Sequence, residues 1–78
     1  MYTTRDFYFS ALLITHRFDL VDSEKHNDGV HFIFKVHDED LLNKLQNDFN
    51  TLNAYVNMNK FVKATARLRK ELDRHKNK

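Results

Sequence analysis

Along Gly29–His37 the chain alternates: Val30, Phe32, Phe34 and Val36 fall on every second position, with His31, Ile33, Lys35 and His37 between them. Period two is the pattern of a strand with one face on a core and the other toward water. Its inward set is aromatic or β-branched, the side chains that pack well on a pleated surface. The preceding segment, His16–Lys25, also reads as a strand, with Phe18 and Leu20 two apart and Val21 on the opposite face. Asn27-Asp28-Gly29 stands between the two. Asp-Gly is a strong signal for a two-residue hairpin turn, whose central positions both take positive φ. The pair is therefore expected to form an antiparallel hairpin with an acidic tip.

The flanking segments switch to helical periodicity. Thr4 is a fair N-cap, and Arg5–Thr15 carries Phe7, Tyr8, Phe9, Ala11, Leu12, Leu13 and Ile14. A helix this apolar is buried on more than one side, or buried on one side and offered to a partner on the other. Phe7, Tyr8, Ala11, Leu12 and Ile14 make the expected inward stripe, which leaves Phe9 and Leu13 over. Asp38 caps a second helix, with Glu39 and Asp40 at its positive dipole end. Leu41, Leu42, Leu45, Phe49 and Leu52 form its core face, and Asn50 to Asn53 end it. Ala54-Tyr55-Val56-Asn57 suits a short third strand. Asn57 or Asn59 then caps a last helix of about residues 60–76, with Phe61, Thr65, Leu68 and Leu72 on one face. The expected fold is α+β: helix, β-hairpin, helix, short strand, helix, with a small antiparallel sheet covered by helices.

Composition narrows the class. The chain has 78 residues, no cysteine, no proline and one glycine, so a single domain over residues 1–78 without disulfides or linkers is expected. A core this small is marginal, which raises the odds of self-association. No apolar run approaches the ~20 residues of a membrane span, and the N-terminus lacks the basic start of a signal peptide. A soluble, cytoplasmic protein is the expectation.

Charge is unevenly spread. Residues 1–58 carry five Lys/Arg against nine Asp/Glu, a net of −4, whereas residues 59–78 carry eight against two, a net of +6. Lys60, Lys63, Arg67, Lys70, Arg74 and Lys78 recur every three or four residues and form a basic stripe. Like charges at this spacing repel, and such a stripe suits a polyanion, nucleic-acid phosphates above all. Without Asn or Gln among its cations it is not expected to read bases. Arg67–Glu71 and Arg69–Asp73 would offset some of the repulsion. The competing readings are a solvated face, or pairing with the acidic body at Asp22, Glu24 and Asp28 or at Asp38 to Asp40.

The remaining chemistry is thin. Gly29, Phe32 and Ile33 coincide with part of the aromatic motif of RNA-recognition domains, but Asp28, Val30 and Lys35 depart from it, so the core reading of Phe32 and Phe34 stands. His31 and His37 are too far apart along one strand to share a metal, and no carboxylate or cysteine completes a ligand set with His26 and His31. Ser10 and Ser23 lack nucleophile-elbow or oxyanion-hole elements, and one glycine makes no phosphate loop. No enzyme activity, metal, cofactor or small-molecule substrate is expected.

The opening Tyr2-x-Thr4-x-Asp6-Phe7-Tyr8-x-x-Ala11-Leu12-Leu13, the hairpin strand Val30-His31-Phe32-Ile33-Phe34 and the closing Phe61-x-x-Ala64-x-x-x-Leu68-Arg69 resemble a small family of functionally uncharacterised phage and bacterial domains. Thr15, His16 and Arg17 stand where that family places glycine and small residues. The resemblance implies a small phage-type or mobile-element accessory protein and carries over no catalytic residue. Two functions follow as expectations. In the first the chain binds a protein, or itself as a homo-oligomer, through Phe9, Leu13 and Tyr55. In the alternative, Lys60, Lys63, Arg67, Lys70 and Arg74 bind nucleic-acid phosphates or an acidic partner. No membrane contact is expected.

Overall fold

β3 (Gly29–Lys35) is the middle strand of a three-stranded antiparallel sheet in a computed structural model that describes residues 1–76. Around it the elements run β1 (Tyr2–Thr4), α1 (Phe7–Thr15), β2 (Asp19–His26), then α2 (Glu39–Asn50) and α3 (Met58–Lys76). The fold is α+β. β2 pairs along one edge of β3, from Asp19 opposite Lys35 to His26 opposite Gly29, and β1 pairs along the other, Tyr2 opposite Phe34 and Thr4 opposite Phe32. One sheet face therefore carries Phe32 and Phe34, both buried, with Tyr2, Leu20 and Ser23 beside them. The other presents Thr3, Ile33, His31 and Glu24. No helix among the described residues is long and apolar enough to cross a membrane.

The third strand is thus β1, not 54–57. Residues 51–57 are irregular, and Tyr55 is 90% exposed. A β-prone tetrapeptide without an edge to pair with cannot satisfy its backbone as a strand, and β1 already holds the free edge of β3. The hairpin turn differs in detail too. Asn27 and Asp28 both keep negative φ, and the positive φ, 125°, falls on Gly29 alone, where the missing Cβ makes it inexpensive. A bulge between Leu20 and Asp22 shifts the register of β2 and puts Ser23, rather than Asp22, opposite Phe32.

α1 is the central helix. Its cap is Asp6, whose carboxylate accepts from the Phe9 N–H at 2.8 Å. Thr4, the expected cap, is occupied by β1, and its hydroxyl oxygen accepts from the Asp6 N–H at 3.1 Å. The inward stripe is correspondingly different: Phe9 and Leu13 lie in the core, and Tyr8 is 60% exposed, stacked on Phe61. Phe9 to Leu13 are all buried because the sheet, α2 and α3 enclose this helix from several sides. Phe9 packs on Tyr2 and Phe49. The all-round apolarity is that of a core helix, and neither Phe9 nor Leu13 is available to a partner.

α2 and α3 follow the sequence closely. Asp38 caps α2 through the Leu41 N–H, and Leu42 and Leu45 are buried. Asn57 caps α3 through the Lys60 N–H at 3.1 Å, and Ala64, Thr65, Leu68 and His75 are buried. Leu52 departs from its expected core position. It follows the end of α2 with φ 60° and is almost wholly exposed.

Candidate anion-binding site

The end of α1 sets the first cation of the site. The Phe18 N–H donates to the Leu13 carbonyl and the Arg17 N–H to the Ile14 carbonyl, both at 3.0 Å. These are the two bonds of a Schellman motif, which requires its middle residue in the left-handed region. That residue is Arg17, at φ 67°. Glycine fits there freely, whereas a side chain costs about 1–2 kcal/mol. The arginine is thus held at a helix end where the backbone would favour its absence.

The start of α3 supplies three more cations. Lys60, Lys63 and Arg67 follow one another by three and four residues along one flank of the helix. With Arg17 they line a groove of about 400 Å³ whose remaining walls are Ile14, Thr15 and Ala64. No carboxylate lines it, and among the described residues none of the four cations is in an ion pair. Lys60 and Lys63 also lie in the first turns of α3, and no acidic residue does. The positive end of a helix dipole disfavours cations there. The pKa of His16, the C-cap of α1, is lowered first by partial burial and then by the charges of Lys44 and Lys60.

The rest of the stripe is divided. Lys70 is exposed and outside the groove, Lys78 lies outside the described residues, and Arg74 turns away. Its guanidinium reaches Asp22 at 3.3 Å, Glu71 at 3.1 Å and the Ser23 hydroxyl oxygen at 2.9 Å. The pairing with Asp22 is the one the acidic body offered, so Arg74 is a structural contact. Glu71 is taken by Arg74 and Ser23 in place of Arg67. Arg69 sits 5.9 Å over the Phe7 ring.

Ser23, Glu71, Arg74 and His75 make a second polar cluster that the sequence reading missed. The Ser23 hydroxyl meets Glu71 Oε2 at 2.5 Å and His75 Nε2 at 2.9 Å. Its single proton goes to the carboxylate, so Arg74 and His75 donate to its oxygen. The Ser23 hydroxyl's hydrogen bond, followed by the Arg74 guanidinium, holds the Glu71 carboxyl below its usual range. In a nucleophilic triad the histidine lies between serine and acid. Here both meet the same hydroxyl, which fixes α3 to β2. His75 on the apolar face of α3, beside Leu68 and Leu72, was the available sequence signal.

At the hairpin tip Asp28 joins Arg5 at 3.1 Å and His31 at 2.8 Å, and His31 packs on His26 with ring centres 4.3 Å apart. The His31 hydrogen bond is the main cause that lowers the Asp28 pKa. Among the described residues no group of three His, Asp or Glu side chains is placed to hold a metal ion.

No family model, curated protein or solved structure matches the chain. The groove's chemistry therefore rests on its own residues. Unpaired cations around a small apolar floor attract anions, and two of them are fork-shaped guanidinium donors suited to phosphate oxygens.

Proposed function

We propose that this protein is a non-enzymatic binding module that holds the phosphate backbone of a nucleic acid in the groove between α1 and α3, without reading bases. The observation that carries the reading is the convergence of Arg17, Lys60, Lys63 and Arg67 on one groove with no carboxylate beside them. A merely solvated face has no use for cations held against a helix dipole and against a left-handed backbone. Phosphate contacts of this kind position a protein on nucleic acid without sequence information. A role as a phage or mobile-element accessory protein in the host cytoplasm rests on the resemblance of the opening motif and belongs to the same proposal.

The test is a Lys63→Glu/Arg67→Glu double variant titrated against a fluorescent duplex at low salt. Both side chains are exposed, so the circular dichroism spectrum should be unchanged while binding is lost. Binding retained by a folded double variant would overturn the reading.

A protein contact is the second reading, and one feature favours it. Leu52, Tyr55 and Met58 leave a run of exposed apolar side chains on the connection from α2 into α3. Of the expected trio only Tyr55 remains on the surface. Light scattering separates the two: a stable oligomer that Tyr55→Ser dissolves, indifferent to salt and DNA, supports the protein contact.

A further inference from the structure

We propose that the groove between α1 and α3 seats an unstacked base of a single-stranded nucleic acid, together with the phosphates on either side of it. The inference rests on the phosphate-binding reading and names the substrate class of the same site. Two properties of the groove exceed what phosphate alone requires. The first is its size. About 400 Å³ is the volume of a cleft that encloses a whole small-molecule ligand, far more than a phosphate group fills. The second is its floor. Most of the surface inside the groove is apolar, with Ile14 and Ala64 among its walls and the hydrocarbon stems of the lysines and arginines around them. Only an apolar ligand group gains from displacing water there.

The cations are spread in a way that suits a strand. Lys60 and Arg67 stand about 10 Å apart along the axis of α3, with Lys63 between them, and Arg17 joins them from the end of α1. Cations spread over that length serve consecutive phosphates better than a single one. The nucleotide between two such phosphates lies over the floor, with its base face on Ile14 and Ala64. The planar guanidiniums of Arg17 and Arg67 are groups on which an unstacked base stacks. In a duplex the base faces are covered by their neighbours, and the floor meets only backbone. Every base has such a face, so the contact does not depend on sequence.

Two other clefts lack this combination. The one beside β1 and the start of α1 carries Asp6, and the one beside β2 carries Asp22 and Glu24. Those carboxylates repel a phosphate backbone.

The experiment compares two single strands of about ten nucleotides, oligothymidylate and a strand with the same phosphates whose sugars carry no base, with a duplex as reference. The wild-type protein should bind oligothymidylate at least about fivefold tighter than the base-free strand, the lower end of what one base contact contributes. That ratio should be the same at about 50 and about 200 mM salt, because the two strands release the same counterions. Ile14→Ser, checked for its fold by circular dichroism, should bring the ratio toward one and leave affinity for the base-free strand within about twofold. Equal affinity of the wild-type protein for the two strands would overturn the inference, and duplex binding that persists beside it would leave the phosphate-binding reading intact. A folded Ile14→Ser protein with an undiminished ratio would also overturn it, and where that variant does not fold the two strands decide alone. Thymidine 5′-monophosphate bound as tightly as oligothymidylate would overturn the strand in favour of a free nucleotide. No binding to either strand or to the duplex would overturn both readings.

Discussion

Replacing Lys60 with glutamate should strengthen the fold and weaken the groove at the same time. Lys60 is the third residue of α3, and its N–H is the one capped by Asn57 at 3.1 Å. A cation there opposes the helix dipole and a carboxylate complements it, each by about 0.3–1 kcal/mol. Glutamate at this position also reaches back to the cap residue's N–H as in a capping box. Its repulsion with Lys63 becomes an attraction of about 0.2–0.5 kcal/mol. Solvent exposure screens all three effects, so the lower end applies, a gain of about 1 kcal/mol. For a domain of this size that raises Tm by about 4–8 °C. Meanwhile the groove loses one of four phosphate contacts and gains a repulsive charge. The slope of log K against log salt should fall from about −3.6 to about −2.7. The His16 pKa should rise, because one of the charges that lowers it has changed sign. Thermal melts and anisotropy titrations on the same preparation decide the matter. A higher Tm with undiminished DNA binding would refute the groove as the site, and a lower Tm would refute the dipole argument.

Other outcomes follow from the same geometry. Leu13 is wholly buried, so Leu13→Ala should cost about 2–5 kcal/mol in denaturant unfolding, with no change of oligomeric state at low denaturant. Leu52→Gly should raise stability by about 1 kcal/mol, because it relieves a left-handed backbone at a side chain that packs on little. Ser23→Ala removes the hydroxyl shared by Glu71, Arg74 and His75 and should cost about 1–3 kcal/mol. It should also flatten the acid limb of Tm against pH. Glu71 has a lowered folded pKa, so its stabilisation is complete above the unfolded value of 4.5 and is lost as pH falls through the folded value. His16 acts in the same direction at higher pH, its neutral form's contribution declining as pH falls below 6.5.

The legible parts of this chain were those whose pattern is local. β3 shows three apolar positions in strict alternation, Val30, Phe32 and Phe34, bounded by its glycine, and α2 shows an acidic cap followed by leucines at helical spacing. β1 was hidden because three residues are too few to display a period, and Tyr2 and Thr4 earn their places only by lying opposite Phe34 and Phe32. Tyr55 and Val56 have the residue types of a strand but no edge to join. Phe9 and Leu13 looked surplus because a helical wheel assumes one buried face, and α1 has several.

The site divides along the same line. Lys60, Lys63 and Arg67 are visible as a stripe because their spacing is helical. Arg74 matches that spacing equally well, and only the fold shows that Asp22, 52 residues away, has claimed it. Arg17 was invisible as a groove residue, since no lysine or arginine lies near it in sequence and helix ends ordinarily take glycine there. That mismatch between residue and backbone position was its only local sign.

The central claim is most directly tested by the salt dependence of duplex binding by the wild-type protein. Four phosphate contacts through Arg17, Lys60, Lys63 and Arg67 give an expected slope of about −3.6 between about 50 and 200 mM salt, with equal affinity for duplexes of unrelated sequence. A slope near zero, or no association at the lowest salt, would contradict it.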